Sequence, residues 1–329
     1  MTRSTYFKSL RFVLLPLALL LLANIIFSLV AFNIARLVGE LKSVLGTGQI
    51  LVSPFLEARA RLAWGTTVLL FYATMIAVSI VCVTIIHRSL TGNKRLIFLA
   101  VGTLITIVVL GHLAYSGYFR TNFSYIFFFT FDTLRASQIY TASQLTAIKS
   151  LVSGINVLAG IVSTLALVSG CCLMSQKRGA EKANLFVLVT QMSHLKSFIG
   201  LLSAMLVTGV LHMIAWLHWP PALITNDSLA RRVIDFSDAM GLYWGATFSL
   251  LIATFYIPAA WFISNRAEAI ITEYPDQIQG MERQEWLKKH NMSLSPYQQI
   301  PELVAMLAPI LVGPIGATIT KLSSPFSGG

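Results

Sequence analysis

Histidine is the residue type of this sequence best suited to chemistry beyond packing. Three of the six histidines, His112, His212 and His218, lie in or beside long apolar runs. Imidazole changes charge near neutral pH and binds metals, so a histidine in a membrane helix indicates proton transfer or ligand binding. The alternative is a hydrogen-bonded histidine beside the membrane interface. We take these three histidines as candidate binding residues and predict no catalytic residue.

A second pair of histidines, His87 and His194, lies near the opposite ends of the apolar runs. Two bis-histidine haem sites could be drawn from these residues together with His112 and His212. However, His194 and His212 are further apart along one run than the two ligands that b-type cytochromes place on one helix. Haem therefore remains a minor alternative, and we predict no cofactor.

Other signatures of chemistry are absent from the sequence. It contains no HExxH, GxSxG, GxGxxG or P-loop pattern, and no pair of carboxylates inside an apolar run. The three cysteines, Cys82, Cys171 and Cys172, have no CxxC spacing and are interpreted as small buried hydrophobic residues. These absences predict no metal site and make an enzyme the less favoured class.

The composition is that of a chain surrounded by lipid. Of its 329 residues, 56% are hydrophobic and 11% are charged, whereas a soluble domain carries about 25% charged residues. The formal net charge is +11, but the basic residues cluster in short segments between apolar runs. Such clusters are typical of membrane orientation signals, so the lipid bilayer is the expected partner and nucleic acid is not.

Six apolar runs are long enough to cross the hydrocarbon core, which takes about 20 helical residues. Because lipid offers no partner for backbone polar groups, each run must be helical. The predicted fold class is an all-α integral membrane protein with six transmembrane helices arranged as three hairpins. The first run is too long for a signal peptide and is interpreted as an uncleaved anchor. The six predicted helices cover residues 12–35, 63–87, 96–116, 147–174, 197–217 and 239–264.

The distribution of Lys and Arg predicts the orientation. With the N-terminus inside, the inner segments carry more basic residues than the outer ones, so both termini are predicted to be cytoplasmic. A bacterial inner membrane fits the short loops. The predicted domains are a transmembrane domain, 1–268, and a cytoplasmic tail, 269–329, which contains an apolar segment at 303–319. Pro309 and Gly313 interrupt this segment, so we predict an interfacial or re-entrant hairpin, with a seventh crossing as the alternative.

Two stretches of the sequence resemble each other. "WGTTVLLFYAT" begins at Trp64 and "WGATFSLLIAT" begins at Trp244, while a weaker similarity links the residues after Lys8 and Lys196. This pattern predicts that helices one and two are repeated as helices five and six in the same orientation. It also predicts similar roles for the two tryptophans. Four tryptophans are predicted to be interfacial anchors: Trp64, Trp244, Trp216 and Trp219.

Two further features concern the outer face and possible partners. The aromatic segment 122–134 and the Gly- and Pro-containing segment 44–55 are predicted to lie in the outer interface. Ala159 and Ser163 in the fourth helix form a small-xxx-small pair, which allows close helix packing. We expect packing within the chain there, and a homo-oligomer or other membrane subunits are predicted to bind through the fourth helix or 303–319.

Three functions of different classes remain open from the sequence. The first is a channel- or transport-type membrane protein that acts without covalent chemistry, suggested by the repeat and the broken apolar segments. The second is a structural or assembly subunit of a membrane complex. The third is a histidine-dependent intramembrane enzyme or haem protein.

Overall fold

A computed structural model describes residues 4–30, 54–89, 93–119, 122–174, 185–278 and 280–323. Within these ranges the regular structure is entirely helical and no strand occurs. Three short 3-10 turns, Pro220–Leu223, Pro275–Ile278 and Pro296–Gln299, join the later helices. The α-helices are α1 (Ser4–Val30), α2 (Pro54–Ser89), α3 (Asn93–Phe119), α4 (Asn122–Ala136), α5 (Ala142–Met174), α6 (Leu185–Leu217), α7 (Asp227–Glu273), α8 (Arg283–Lys289) and α9 (Ile300–Ser323).

Four of the described helical segments are long and apolar enough to cross a membrane: Pro54–Arg88, Ala142–Met174, Leu185–Leu223 and Asp227–Glu273. Shorter apolar helical segments are Leu14–Val30, Leu99–Tyr115 and Tyr297–Val312. The all-helical prediction is therefore confirmed for the described residues, together with four helices of transmembrane length. Six crossings arranged as hairpins stay a prediction.

Several helices extend past their apolar runs. The helix predicted at 239–264 begins at Asp227 and continues to Glu273. Its start is capped, because the side chain of Asn226 accepts a hydrogen bond from the backbone NH of Leu229. The aromatic segment predicted to be interfacial is the short helix α4. Most of the segment 44–55 lies outside the described residues.

The helix α6 is central to the packing. It packs against α2, α7 and α9, while α5 packs on α2, α3 packs on α5, and α1 packs mainly on α7. Close approach is visible where an added Cβ at Gly209 of α6 would lie 3.3 Å from the ring of Phe71. The buried apolar side chains of these helices form one large cluster and two smaller ones, and the site described below lies among them.

The segment 303–319 differs from its prediction. It is part of one continuous helix, α9, rather than a hairpin. Pro309 has no NH to donate to the carbonyl of Ala305. The hydroxyl of Ser203 on α6 donates to that carbonyl, and the backbone NH of Ile310 donates to the hydroxyl of Ser249 on α7 at 3.1 Å. Neighbouring helices thus satisfy the backbone at the proline, so the helix continues.

The helix α9 runs parallel to α6 and antiparallel to α7. Along α6, Lys196 lies 3.0 Å from Glu302, and Val312 packs with Val210 and Ile214. Along α7, Tyr256 contacts Gln299 and the backbone at Pro309 approaches Gly245. The predicted tail therefore includes a helix that is packed into the bundle.

A candidate binding cavity

A cavity of about 550 Å³ lies inside the helix bundle. Cavities of 300–1,000 Å³ are typical of sites for small molecules. Seven of the helices, α1 to α7, contribute residues to its wall. Apolar side chains dominate, and no Asp, Glu, Lys or Arg of the described residues lines it.

The cavity is elongated along α6. Lining residues on this helix extend from Phe198 to Trp216, which at 1.5 Å per residue corresponds to roughly 27 Å. The facing wall includes Phe248 and Phe255 of α7 and Thr164 of α5. A long, apolar space of this kind suits a hydrocarbon chain better than a compact polar solute.

His212 and Trp216 occupy one end of the cavity. They are four residues apart on α6 and therefore share a helix face, and they are 8% and 4% exposed. The imidazole of His212 stacks on Phe71 with ring centroids 5.8 Å apart. The indole of Trp216 stacks on Phe127 at 5.7 Å and lies 5.4 Å from Trp64.

Polar atoms at this end lack partners. Nδ1 of His212 and Nε1 of Trp216 are both buried and make no hydrogen bond with any residue that the structure describes. Nε1 of the neighbouring Trp64 is likewise buried and has no hydrogen-bond partner among the described residues. Leaving a buried donor or acceptor unpaired costs about 1–3 kcal/mol, and native proteins rarely leave such groups unpaired. These three nitrogens lie within the ring cluster beside the cavity and are not on its accessible surface.

The adjacent polar cluster is, by contrast, satisfied. The carboxylate of Glu57 on α2 accepts hydrogen bonds from the hydroxyl of Tyr140 and from Nε1 of Trp219, the latter at 3.3 Å. Arg61 lies 3.6 Å from the same carboxylate. Burial and the neighbouring Glu57 carboxylate raise the pKa of Tyr140, so its hydroxyl remains a donor. This cluster joins three segments next to the cavity, and the sequence analysis did not identify Glu57 or Tyr140.

The structure separates the three candidate histidines. His212 lines the cavity, whereas Nε2 of His218 lies 3.3 Å from the carboxylate of Asp238 on α7. His112 is exposed on α3 and does not line the cavity. Of the predicted binding residues, only His212 therefore belongs to this site, and a role for His112 or His218 stays a prediction.

The four tryptophans predicted to be interfacial anchors are all buried by other side chains. Trp64 packs against His212, Trp216 and Trp219, while Trp244 packs against Phe27 and Phe248. Trp216 and Trp244 both line the cavity. These contacts give the rings a packing role inside the protein, and their level relative to the membrane interface stays a prediction.

Metal binding has no obvious place in the part of the chain that the structure describes. No group of three or more His, Cys, Asp or Glu side chains is arranged there to hold an ion. Cys82, Cys171 and Cys172 are free and buried, and burial of that kind makes thiols inert.

No protein-family model, curated protein or solved structure matches the chain. Its class therefore follows from its own residues. The described chain is an all-helical protein with four helices long and apolar enough to cross a membrane. An apolar cavity lies among seven of its helices.

Proposed function

We propose that this chain is a transport-type membrane protein that acts without covalent chemistry. Its substrate is an amphiphile with a single hydrocarbon chain, which it carries through the central cavity. The observation that carries this proposal is the elongated cavity of about 550 Å³ lined by apolar side chains from α1 to α7. Apolar burial contributes roughly 25 cal/mol per Å², so a hydrocarbon chain would be held there by its whole length. An ion or a polar solute would find no charged partner in the described wall.

The contacts of α9 support seven crossings rather than six. The helix α9 passes from the level of Lys196 to the level of Ile214 along α6, and it continues to Ser323. With the N-terminus in the cytoplasm, as the basic residues favour, the segment 274–299 would be cytoplasmic. The end of α9 would then lie on the outer side. In this proposal the C-terminus lies on the outer side, whereas the sequence predicts it in the cytoplasm.

The packing of the two similar stretches also supports a transport-type architecture. Trp64, in the first copy, packs against α6, which belongs to the second copy; Trp244, in the second copy, packs against Phe27 of α1 in the first. Such reciprocal contacts are expected of two parallel repeats related by an axis along the membrane normal.

The proposal is tested by measuring movement of a lipid between leaflets. Purified protein is reconstituted into vesicles that contain tritium-labelled palmitoyl lysophosphatidylcholine, and albumin extracts the probe from the outer leaflet. We expect the protein to increase the rate at which the inner-leaflet probe becomes extractable. Vesicles with protein that behave like empty vesicles would reject the proposal.

A matched pair of variants links the rate to the cavity. Ala159→Phe on α5 places a ring in the cavity wall, whereas Ala147→Phe changes an exposed position on the same helix that does not line the cavity. We expect Ala159→Phe to slow extraction several-fold and Ala147→Phe to leave it unchanged. Equal extraction rates for both variants would show that transport does not use this cavity.

The second candidate, an assembly subunit of a membrane complex, keeps some support from the sequence. In the structure the small residue Gly160 of α5 is used within the chain, since an added Cβ would lie 3.2 Å from Val109 of α3. The native mass of the detergent-extracted particle distinguishes a monomer from a homo-oligomer or a complex with other subunits. Stable partners lost on truncation of 303–319 would favour the assembly role.

A further inference from the structure

We infer that a second cavity, between α2, α5 and α6, binds the phosphate headgroup of an anionic phospholipid, with Arg88 and His194 as its polar contacts. The inference goes beyond the proposed function, because this cavity is separate from the one that carries the substrate. Its volume is about 210 Å³, which is below the range typical of sites for whole small molecules. A headgroup, with the rest of the lipid outside, suits that volume.

The residues of α2 that line the second cavity form one face of the helix. Val81, Thr84, Ile85 and Arg88 follow one another at helical spacing, which places them on the same side. Apolar atoms make up most of the wall, and Arg88 lies next to the end of α2. An arginine in such a place lays its aliphatic stem along apolar surface and keeps its guanidinium beyond it. The face therefore offers a cation beside an apolar wall.

The register of α2 and α6 brings residues of α6 to the same level as Arg88. The two helices are antiparallel, and the hydroxyls of Thr74 and Thr208 are 2.8 Å apart. Arg88 lies fourteen residues after Thr74 on α2. His194 lies fourteen residues before Thr208 on α6, so the two are level along the axes. Both line the second cavity, as does Ser197, one turn from His194.

The charges around the second cavity favour an anion. No Asp or Glu among the described residues lines it, and Arg88 forms no ion pair with a carboxylate that the structure describes. Lys196, by contrast, lies 3.0 Å from Glu302. Guanidinium matches phosphate through two parallel hydrogen bonds, and imidazole and hydroxyl groups supply further donors. The group that these residues fit is therefore a phosphate.

The apolar surroundings favour a lipid over a free phosphate ion as the source of this group. Ile80 and Val83, adjacent to the lining residues on α2, are 62% and 56% exposed, and α2 is one of the helices of transmembrane length. An acyl chain gains from contact with such surface, whereas a free ion does not. Basic pockets between membrane helices are known to bind anionic headgroups. The cationic group of phosphatidylcholine would be placed near Arg88 and is disfavoured.

Hydrogen bonds between the three helices hold the second cavity in shape. The hydroxyl of Ser169 on α5 donates to the carbonyl of Cys82 on α2 at 3.2 Å. The side-chain amide of Gln191 on α6 donates to the carbonyl of Leu173 on α5, and Leu173 also lines the cavity. Because these contacts form without a ligand, binding requires little ordering of the protein. A bound phosphate would bridge α2 and α6, and it should raise the melting temperature.

The experiment measures the melting temperature of delipidated protein in detergent during titration with dioctanoyl phosphatidylglycerol. We expect a saturable rise, a much smaller rise with dioctanoyl phosphatidylcholine, and no rise with sodium phosphate at the same concentrations. Arg88→Gln should weaken the apparent affinity for phosphatidylglycerol about tenfold, the effect of losing one charge-assisted hydrogen bond. His194→Leu should weaken it about threefold.

The matched control is Arg283→Gln, which removes an exposed arginine of α8 outside the second cavity and should leave the affinity unchanged. Equal rises with phosphatidylglycerol and sodium phosphate would overturn the lipid as the source of the phosphate. The absence of a rise, equal rises with both lipids, or an unchanged affinity in Arg88→Gln would overturn the site. None of these results bears on lysophosphatidylcholine transport, so the proposed function is tested separately.

Discussion

The hydroxyl of Ser203 on α6 donates a hydrogen bond to the backbone carbonyl of Ala305 on α9, four residues before Pro309. In an uninterrupted helix that carbonyl would accept from the NH of residue 309, which proline lacks. A side chain from one helix thus completes the backbone hydrogen bonding of another. The helix α9 is consequently held in the bundle at Pro309, where its own backbone hydrogen bonding is interrupted.

Removing this hydroxyl tests the importance of the contact. Ser203→Ala leaves the partly buried carbonyl of Ala305 without this donor, so we expect a loss of about 1 kcal/mol in the free energy of unfolding. Thermal unfolding of the purified protein in detergent, followed by circular dichroism, provides the measurement. Ser193→Ala, an exposed position on the same helix, is the control. Equal stability of the two variants would contradict the assigned role.

The glycine of the second repeat copy should tolerate no side chain. An added Cβ at Gly245 would overlap the carbonyl oxygen of Pro309 and lie 3.0 Å from the Cα of Ile310. Because both are backbone atoms, α9 must move, and overpacking of this kind costs about 1–3 kcal/mol. Gly200→Ala on α6 meets nothing within 4 Å and should be neutral or stabilising. Both are compared by melting temperature, and a neutral Gly245→Ala would disprove the close contact.

The ion pair between Lys196 and Glu302 should respond differently to single and double changes. The pair is 3.0 Å apart and both side chains are largely buried. Lys196→Met leaves an unpaired buried carboxylate, for which a loss of about 3 kcal/mol is expected. Lys196→Met combined with Glu302→Leu removes both charges and should recover much of that loss. Additive losses in a double-mutant cycle of unfolding free energies would indicate that the two groups do not interact.

The Glu57–Tyr140 contact predicts a dependence on pH. Tyr140→Phe removes a hydrogen bond to a carboxylate and should cost about 1.5–3 kcal/mol, whereas Tyr297→Phe at an exposed position should have little effect. The pKa of Tyr140 is raised by burial and by Glu57. The phenol therefore contributes its full stability below the ordinary tyrosine pKa, and this contribution is lost as the pH rises above it. Melting curves of wild type and Tyr140→Phe should converge at strongly alkaline pH; parallel curves would argue against it.

Accessibility labelling tests the seven-helix topology. Single cysteines are introduced at Ser228, Glu285 and Ser323 in sealed vesicles, and the buried native cysteines serve as an unreactive background. We expect Ser228→Cys and Ser323→Cys to react from the same side of the membrane, and Glu285→Cys from the opposite side. Labelling of positions 285 and 323 from one side would restore the six-helix topology.

Much of the helical framework could be predicted from hydropathy, because lipid permits little else for long apolar runs. The boundaries of the helices could not be predicted from hydropathy. The helix α2 continues outward from the predicted run to Pro54, through Glu57 and Arg61, whose polarity hides the extra turns. Similarly, α7 begins at Asp227 because Asn226 caps it, a local signal that an apolar-window search ignores.

The cavity and the continuity of α9 lay beyond the sequence for a different reason. The wall around His212 is assembled from seven helices, and no spacing along the chain encodes which faces meet. Likewise, Pro309 predicts a break when α9 is considered alone. Only the tertiary contacts with Ser203 and Ser249 remove the reason for breaking it. The repeat indicated similar roles for Trp64 and Trp244, but it did not indicate which aromatic rings pack around each of them.

The packing of α9 against α6 and α7 has a consequence for the order in which contacts form during biosynthesis. Lys196 leaves the ribosome long before Glu302, and the hydroxyls of Ser203 and Ser249 likewise precede the backbone they will contact. Until the final helix enters, the nascent bundle holds a cation and two hydroxyls without their eventual counterparts. These contacts can therefore form only after α6 and α7 have been made, and a chain that stopped before residue 302 would leave Lys196, Ser203 and Ser249 without them.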